Sequence, residues 1–170
     1  MNSSTSDPRT VTIRPATEAD LQAIGRLGAL LVRTHHEFDA ARFIAATSQT
    51  ERGYAAFLAT QLDERDVVML VAVQDGEVIG YTYAGVEGWD YMSLRGPAGV
   101  LHDIVVDPAH RGHDVARMLL EATLAELHSR GSRQVVLWTA ERNEPALRLF
   151  GGEGFRRTMV ELTRELNADA

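Results

Sequence analysis

The residues best suited to chemistry lie in one stretch near the middle of the chain, where a strand is followed by a short turn and a helix. Residues 100–106 (VLHDIVV) form an apolar strand pattern that carries His102 and Asp103, and RGHDVA at 111–116 opens a helical pattern. Backbone N–H groups at the start of a helix lack partners within it, and the helix dipole adds attraction for an anion. The stretch therefore predicts a phosphate-binding turn beside a strand that carries a histidine.

Strand and helix patterns surround this stretch in an order typical of one mixed α/β domain. The Asp-Gly pair at residues 75–76 predicts a tight antiparallel hairpin, and Thr17 is typical of a helix N-cap. The expected helices are one that begins after Thr17 and ends near His36, one over residues 53–62, one from the RGHDVA turn to Gly131, and one over 143–152. The expected strands cover residues 10–14, 67–73, 78–86, 100–106, 135–139 and 155–165.

The composition indicates a soluble domain without sulfur chemistry. The chain has 170 residues, a formal net charge of −7 and no cysteine, which excludes disulfides, thiolate metal sites and cysteine nucleophiles. The basic residues are all arginine, so Schiff-base chemistry through lysine is excluded. Scattered acidic charge argues against a nucleic-acid surface, and no apolar run reaches the roughly 18 residues of a membrane span. We expect a flexible N-terminus over residues 1–9, one domain over 10–167 and a cytoplasmic location.

Two motifs resemble those of the GNAT family of N-acetyltransferases, and the likeness covers nearly the whole chain. The RGHDVA turn is similar to the family's Arg/Gln-x-x-Gly-x-Gly/Ala pyrophosphate loop, and Asn143-x-x-Ala146-x-x-Leu149-Phe150 is followed by Gly154-Phe155. The resemblance implies an α/β fold with a mostly antiparallel mixed sheet of about six or seven strands, flanked by about four helices. It also implies a splayed parallel strand pair at a coenzyme A site. A Rossmann site is disfavoured, since no G-x-G-x-x-G follows the first strand.

The resemblance further implies acetyl-CoA as co-substrate, transfer of its acetyl group to an amine, and no metal. Direct transfer is expected because the chain has no cysteine to carry the acetyl group, and a strand amide near Ile104 would stabilise the carbonyl oxygen. By match to the motifs, strand backbone would bind the pantetheine arm and the turn's N–H groups the pyrophosphate, while Asn143 is also an expected helix cap. The expected cofactor-binding residues are Ile104, Val105, Val106, Arg111, Gly112, His113, Asp114, Val115, Ala116, Asn143 and Phe150.

Two residues depart from the family pattern. Asp114 stands where the pattern has its first glycine, and its carboxylate should point outward because it would otherwise repel a pyrophosphate by about 3 kcal/mol. Phe150 stands where many family members have a tyrosine that protonates the departing thiolate. Water or another tyrosine could substitute, since a general acid contributes about 10²–10⁴-fold. The candidate tyrosines are Tyr54, Tyr81, Tyr83 and Tyr91.

His102 is the expected catalytic base. Its imidazole titrates near working pH, and its strand should pass the thioester, where several relatives have a glutamate. Neighbouring side chains of a regular strand face opposite sides, so Asp103 should point away from the cleft. A packed histidine with a structural hydrogen bond is the alternative. His110 and His113 flank the phosphate turn, where they are either phosphate contacts or solvated loop side chains.

The expected acceptor is a small primary amine. Its candidate contacts are His35, Glu37, Trp89 and Tyr91, although the Trp89–Tyr91 segment could equally plug the sheet. The acidic residues Glu37, Asp39, Glu87 and Asp90 allow a polyamine, an aminoglycoside or a basic peptide end. A protein N-terminal or lysine acetyltransferase and a non-catalytic coenzyme A-binding module remain alternatives. A homodimer also stays open, whereas nucleic acid and membranes are not expected partners.

Overall fold

A five-stranded sheet is the centre of the structure, a computed structural model that describes residues 10–112 and 114–166. Within those residues the strands follow sequence order across the sheet, antiparallel from the first to the fourth, with the fifth parallel to the fourth. The strands are β1 (Thr12–Pro15), β2 (Val67–Gln74), β3 (Glu77–Glu87), β4 (Ala98–Val106) and β5 (Val135–Leu137). The helices are α1 (Leu21–Phe38), α2 (Thr50–Gln61), α3 (Val115–Ser129) and α4 (Glu144–Gly152). The predicted mixed α/β class is confirmed.

Turn and cap residues set several of these boundaries. Asp75 and Gly76 have φ values of 52° and 83°, as a type I′ turn requires, and they join β2 to β3. Thr17 caps a short 3-10 turn that leads into α1, and its amide and hydroxyl both donate to Asp20. Arg14 donates two further hydrogen bonds of 2.7 and 2.8 Å, which lower the pKa of Asp20 to about 2. These bonds tie β1 to the start of α1.

Helices cover both faces of the sheet. α3 lies on one face, where Leu119 is fully buried and the hydroxyls of Thr82 and Thr123 lie 2.8 Å apart. α1 and α2 lie on the other face, where Ile24 and Leu58 are fully buried against the strands. Among the described helices, none is both long and apolar enough to cross a membrane.

Two glycines in α1 allow α2 to approach closely. A Cβ atom at Gly28 would lie 2.2 Å from the Tyr54 ring, and one at Gly25 would lie 2.5 Å from the carbonyl oxygen of Glu51. Glycine weakens a helix interior, so its presence here is explained by the contact that it permits. The close approach leaves room for Tyr54 to reach from α2 towards the sheet.

The expected strand over residues 155–165 is wrong. The described part of the chain has no strand after α4, so its sheet has five strands instead of six or seven. Met159 and Val160 are consecutive apolar residues, so alternate positions do not form one apolar face, and both side chains are largely exposed. β5 is also shorter than predicted, because its pairing with β4 stops at Leu137.

Candidate functional site

β4 and β5 separate halfway along β4. The two strands pair only where residues 99–101 lie beside 135–137, although β4 continues to Val106. Residues 103–106 pair with β3 on their other side and have no β5 partner within the described residues. The splayed parallel pair expected from the sequence is therefore present, and it leaves backbone N–H and C=O groups of β4 available to a ligand.

A β-bulge occupies the point of separation. Tyr83 pairs with Asp103 and Ala84 pairs with Leu101, so His102 is an extra residue in β4. Because of this extra residue, the side chains of His102 and Asp103 both lie on the face covered by α1 and α2. Asp103 was expected on the opposite face for a regular strand, and the bulge makes the strand irregular. Of the two side chains, His102 lines the cavity and Asp103 does not, as expected.

A cavity of about 240 Å³ opens beside the bulge. It lies between the separated strands and the carboxyl end of α1. On the side of the strands and α4 it is lined by Leu101, His102, Ile104, Trp138, Asn143 and Phe150. On the side of α1 and the α1–α2 connection it is lined by Leu31, Val32, His35, Phe43 and Ile44. His102 thus stands between a strand wall and a helix wall.

His102 is held by two neighbours on β3. Its Nε2 atom lies 2.8 Å from Oε1 of Glu87, and its ring stacks on Tyr83 with centroids 5.0 Å apart and an interplanar angle of 26°. Arg95 donates to the other oxygen of Glu87 at 2.9 Å. A carboxylate that accepts from one ring nitrogen leaves the second nitrogen of a neutral imidazole as a proton acceptor. The arrangement can therefore present an oriented base to the cavity.

Asp103 lies beside His102 but is engaged elsewhere. The hydroxyls of Tyr54 and Tyr81 both donate to its Oδ2 atom, at 2.8 and 2.9 Å. Burial raises the pKa of Asp103, although the two tyrosine hydrogen bonds oppose the shift. The same burial and the neighbouring carboxylate raise the pKa values of Tyr54 and Tyr81. These three side chains fasten α2 to the bulged part of the sheet.

The turn before α3 has the backbone shape of an anion-binding loop. Gly112 has a φ of 83°, and Asp114 is in the left-handed region with a φ of 56°. Asp114 stands at the N-cap of α3 with no side-chain capping bond, so its exposed carboxylate does not occupy the first amides of the helix. Val115 is buried and offers only its backbone to a ligand. His113 lies outside the described residues.

Asn143 and Phe150 bring α4 to the cavity. The side chain of Asn143 accepts from the amide of Ala146 at 3.3 Å, so the predicted helix cap is present. Phe150 is 6% exposed and packs edge-on against Phe155, with centroids 5.7 Å apart. Phe150 is therefore an apolar wall at the place where a tyrosine would bring a hydroxyl.

The structure brings together only part of the predicted acceptor site. His35 lines the cavity, whereas Glu37 is exposed on α1 and does not. Trp89 and Tyr91 stack on each other in the loop between β3 and β4, with centroids 6.5 Å apart. They are 71% and 76% exposed, so they do not plug the underside of the sheet, and they do not line the cavity.

Sequence reasoning named His35 of the helix wall as a site residue, but not the other residues of that wall or the partner of His102. Phe43 and Ile44 lie in a connection without regular structure, where periodicity gives no signal. Glu87 and His102 are 15 residues apart, and the antiparallel pairing of β3 with β4 joins them. That pairing could have been read from the hairpin signals, but the bulge that turns His102 towards Glu87 could not.

No three acidic or histidine side chains in residues 10–112 and 114–166 converge in a way that could hold a metal ion. His35 and His36, which are adjacent in the sequence, bond to different backbone carbonyls. Nδ1 of His35 lies 2.9 Å from the carbonyl oxygen of Leu31, and Nδ1 of His36 lies 2.8 Å from that of Phe43.

Comparisons with known proteins agree with this geometry. A curated relative, the mycothiol acetyltransferase of Thermobispora bispora, is 38% identical over 96 residues, which are 54% of this chain and 31% of the relative. The mycothiol acetyltransferase of a Nocardioides strain is 29% identical over 157 residues, or 87% of this chain and 50% of the relative. The matched regions thus span from 31% to 50% of the length of these two relatives.

Solved structures share the fold over most of the chain. The aminoglycoside N-acetyltransferase AAC(6')-Iy, solved in complex with CoA, has a TM-score of 0.70 at 18% identity and covers 96% of this chain and 99% of its own. A Clostridium acetobutylicum structure described as a predicted acetyltransferase with acetyl-CoA has a TM-score of 0.66 at 18% identity, covering 93% and 96%. The profile of the "Acetyltransferase (GNAT) family" matches residues 31–155. The chain therefore belongs to the GNAT acetyltransferase family.

Proposed function

We propose that this protein transfers the acetyl group of acetyl-CoA to the primary amine of a small molecule, through a domain that covers residues 10–167. The observation that carries the proposal is the position of His102. This histidine lies at the bulge where β4 and β5 separate, lines the cavity, and is hydrogen-bonded to Glu87. A base is needed there because an ammonium group must lose its proton before its nitrogen can attack a thioester.

The described residues suit a coenzyme A molecule. Along the unpaired edge of β4, the backbone of Ile104, Val105 and Val106 is available to a pantetheine arm. The arm would make the hydrogen bonds that a neighbouring strand makes elsewhere in the sheet. The turn at Arg111 and Gly112 and the first amides of α3 offer N–H groups to a pyrophosphate. Acetyl-CoA bound in this way supplies an activated acyl group. Asn143 and Phe150 would border it from α4.

Glu87 gives His102 its orientation in this proposal. If Nε2–H donates to Glu87, then Nδ1 carries the lone pair that takes a proton from the acceptor amine. Arg95 donates to the second oxygen of Glu87, which holds the carboxylate in place while the imidazole becomes charged. Glu87 and Arg95 together therefore account for the tautomer of His102 and for the orientation of its imidazole ring.

Tyr83 is the tyrosine best placed to donate a proton to the departing thiolate. Its ring stacks on His102, and burial raises the pKa of its hydroxyl, which therefore keeps its proton. That hydroxyl donates to Oε1 of Gln61 at 3.3 Å, a longer bond than those that Tyr54 and Tyr81 make. Tyr54 and Tyr81 donate to Asp103, and Tyr91 is exposed in the loop after β3. Among the four tyrosines, Tyr83 alone directly contacts the proposed base.

The cavity favours a small acceptor over a protein chain. The carboxyl end of α1 and the α1–α2 connection both border the cavity and give it the shape of a pocket. A peptide substrate would instead need a long groove. A volume of about 240 Å³ accommodates part of a small ligand. The direct transfer of an acetyl group to a small amine is therefore the proposed reaction.

The proposal is tested by two measurements on the purified protein. Calorimetry with acetyl-CoA should show binding, and release of CoA thiol should depend on an added primary amine, with the N-acetylated amine identified by mass spectrometry. Tight binding without turnover of any amine would instead favour a non-catalytic coenzyme A-binding protein. An absence of binding would contradict both interpretations.

A further inference from the structure

We infer that the acceptor is a monoamine with an apolar or aromatic body, and that polycations such as polyamines and aminoglycosides are poor substrates. The inference rests on the proposed function and adds the chemical class of the acceptor. It comes from the wall of the cavity that faces His102 from the helices, and from the engagement of nearby carboxylates in other bonds.

The helix wall of the cavity is apolar. Leu31 and Val32 come from the last turns of α1, and Phe43 and Ile44 come from the connection to α2. His35 is the one polar side chain of this wall, and its Nδ1 atom lies 2.9 Å from the carbonyl oxygen of Leu31. None of the described residues that line the cavity is aspartate or glutamate.

Two of the candidate anchors for a cation, Asp39 and Glu87, are engaged with local partners. Asp39 accepts from the backbone amides of Ala41 and Arg42, at 3.1 and 3.2 Å, and so closes the turn after α1. Glu87 accepts from Arg95 and is bonded to His102. Neither carboxylate lines the cavity, so a second ammonium group held there would have no acidic lining residue to pair with.

Asp90 is engaged in the same way in the loop after β3. Its carboxylate accepts from the backbone amide of Met92 and from the hydroxyl of Ser93, at 2.9 and 2.7 Å. These bonds lower the pKa of Asp90, with the Ser93 hydroxyl as the largest cause. This acid therefore shapes its own loop, and it is not a free anchor for a cation.

An ion pair borders the helix wall. The guanidinium of Arg42 lies over the Phe43 ring, 5.0 Å from its centroid, and is ion-paired with Glu161 of the segment after α4. The pair has no net charge, so it adds neither an anchor for a cation nor a net repulsion. Each charge of a polycation that was buried unpaired against the apolar wall would lose its hydration.

An amine with an apolar body avoids this loss. Its one ammonium group is neutralised when His102 takes the proton, and the remainder of the molecule gains by leaving water for the apolar wall. Hydrophobic pockets separate ligands that differ by one small group by roughly 10–200-fold. We expect at least about a tenfold preference for the monoamine within a matched pair.

The experiment compares hexylamine with hexamethylenediamine. The first ends in a methyl group where the second ends in an aminomethyl group. Phenethylamine is added as an aromatic monoamine. The ratio kcat/KM is measured from thiol release at saturating acetyl-CoA. The expected result is that both monoamines exceed the diamine by about tenfold or more. Equal or better use of the diamine would overturn the inference and leave the proposed function standing. If no amine of either class is acetylated, the proposed function fails and the inference fails with it.

Two variants test whether the helix wall sets this preference. Ile44 is 77% exposed in an irregular connection, so its replacement should not disturb folding. Ile44→Asp places a carboxylate in the wall and should shift the preference towards hexamethylenediamine by about tenfold, whereas the neutral Ile44→Asn should not. The inference is overturned if Ile44→Asp and Ile44→Asn retain the same ratio between the two amines.

Discussion

His102 and Asp103 are neighbours in β4, yet both side chains lie on the face of the sheet that α1 and α2 cover. The bulge at His102 produces this arrangement. His102 lines the cavity and contacts Glu87, while Asp103 is 8% exposed and accepts from Tyr54 and Tyr81. One irregular residue therefore places a candidate base in the cavity and a buried carboxylate beside it.

Replacement of the candidate base should remove most of the activity. His102→Gln keeps a polar side chain but cannot take up a proton, so kcat should fall by about 10²–10⁴-fold. The decline of the pH–rate profile towards acid should also disappear. A variant with an unchanged profile would show that His102 is only a packed strand histidine.

Glu87→Gln tests the partner of this base. The amide preserves the size of the side chain but loses the charge that holds Nε2–H, so kcat should fall about tenfold or more while KM for acetyl-CoA stays unchanged. Steady-state kinetics with acetyl-CoA varied at fixed amine would measure both. A rise in that KM with kcat unchanged would place Glu87 in cofactor binding.

Stability should depend on pH through Asp103. Burial raises the pKa of this carboxyl in the folded state, so its contribution favours folding below the unfolded pKa and is lost as pH rises through the folded pKa. Asp103→Asn stays neutral and can still accept both tyrosine hydrogen bonds. Relative to the parent, the variant should gain free energy of unfolding as pH rises above the unfolded pKa of about 4. Urea unfolding of both proteins at acidic and at neutral pH would measure the difference in this free energy.

Tyr54→Phe is the control for the same cluster. It removes one hydroxyl donor and leaves the buried carboxylate with Tyr81 alone, so it should destabilise the fold by about 1–3 kcal/mol at neutral pH. If Asp103→Asn instead loses stability relative to the parent as pH rises, the pKa of Asp103 is not raised in the folded state.

Asp114 should weaken the affinity for acetyl-CoA. Its carboxylate adds negative charge at the expected pyrophosphate turn, and its φ of 56° is a conformation that glycine adopts more readily. Asp114→Gly should tighten binding by a few-fold up to about a hundredfold, as measured by calorimetry. Asp114→Asn removes the charge but keeps a side chain that tolerates this conformation. Tightening by both variants would assign the effect to charge, and unchanged affinity in both would contradict the prediction.

Phe150→Tyr should increase turnover. Phe150 lines the cavity from α4, so a tyrosine would bring a hydroxyl to a wall that has none at this position. A general acid contributes about 10²–10⁴-fold when proton transfer limits the rate, and we expect the lower part of that range because Tyr83 is already close. Thiol release under saturating amine would measure the gain. An unchanged kcat would show that protonation of the thiolate does not limit turnover.

Local signals in the sequence predicted the helices and the central strands well. The Asp75-Gly76 turn, the Thr17 cap and the Asn143 cap are all present, because each depends on a few neighbouring residues. The final strand was not predictable from its partial alternation, since a strand forms only where another strand or an apolar core accepts it. Phe155 packs against Phe150, but residues 156–166 are exposed and pair with no strand of the described structure.

The site was less predictable than the fold. His102 could be selected from its residue type and its position on the central strand, but its partner Glu87 depends on the bulge and on pairing between distant residues. Trp89 and Tyr91 were selected as aromatic side chains near the site, whereas the loop holds them outside the cavity. Phe43 and Ile44 are placed by the long connection after α1, whose path no local pattern determines.

The most direct test of the account follows an isotopically labelled acetyl group from acetyl-CoA to hexylamine. With the parent protein, the account predicts labelled N-acetylhexylamine in an amount equal to the CoA released, and with His102→Gln it predicts loss of nearly all of this product. The account would be contradicted if calorimetry showed binding of acetyl-CoA but no amine gave labelled product, and if parent and variant released thiol at equal rates.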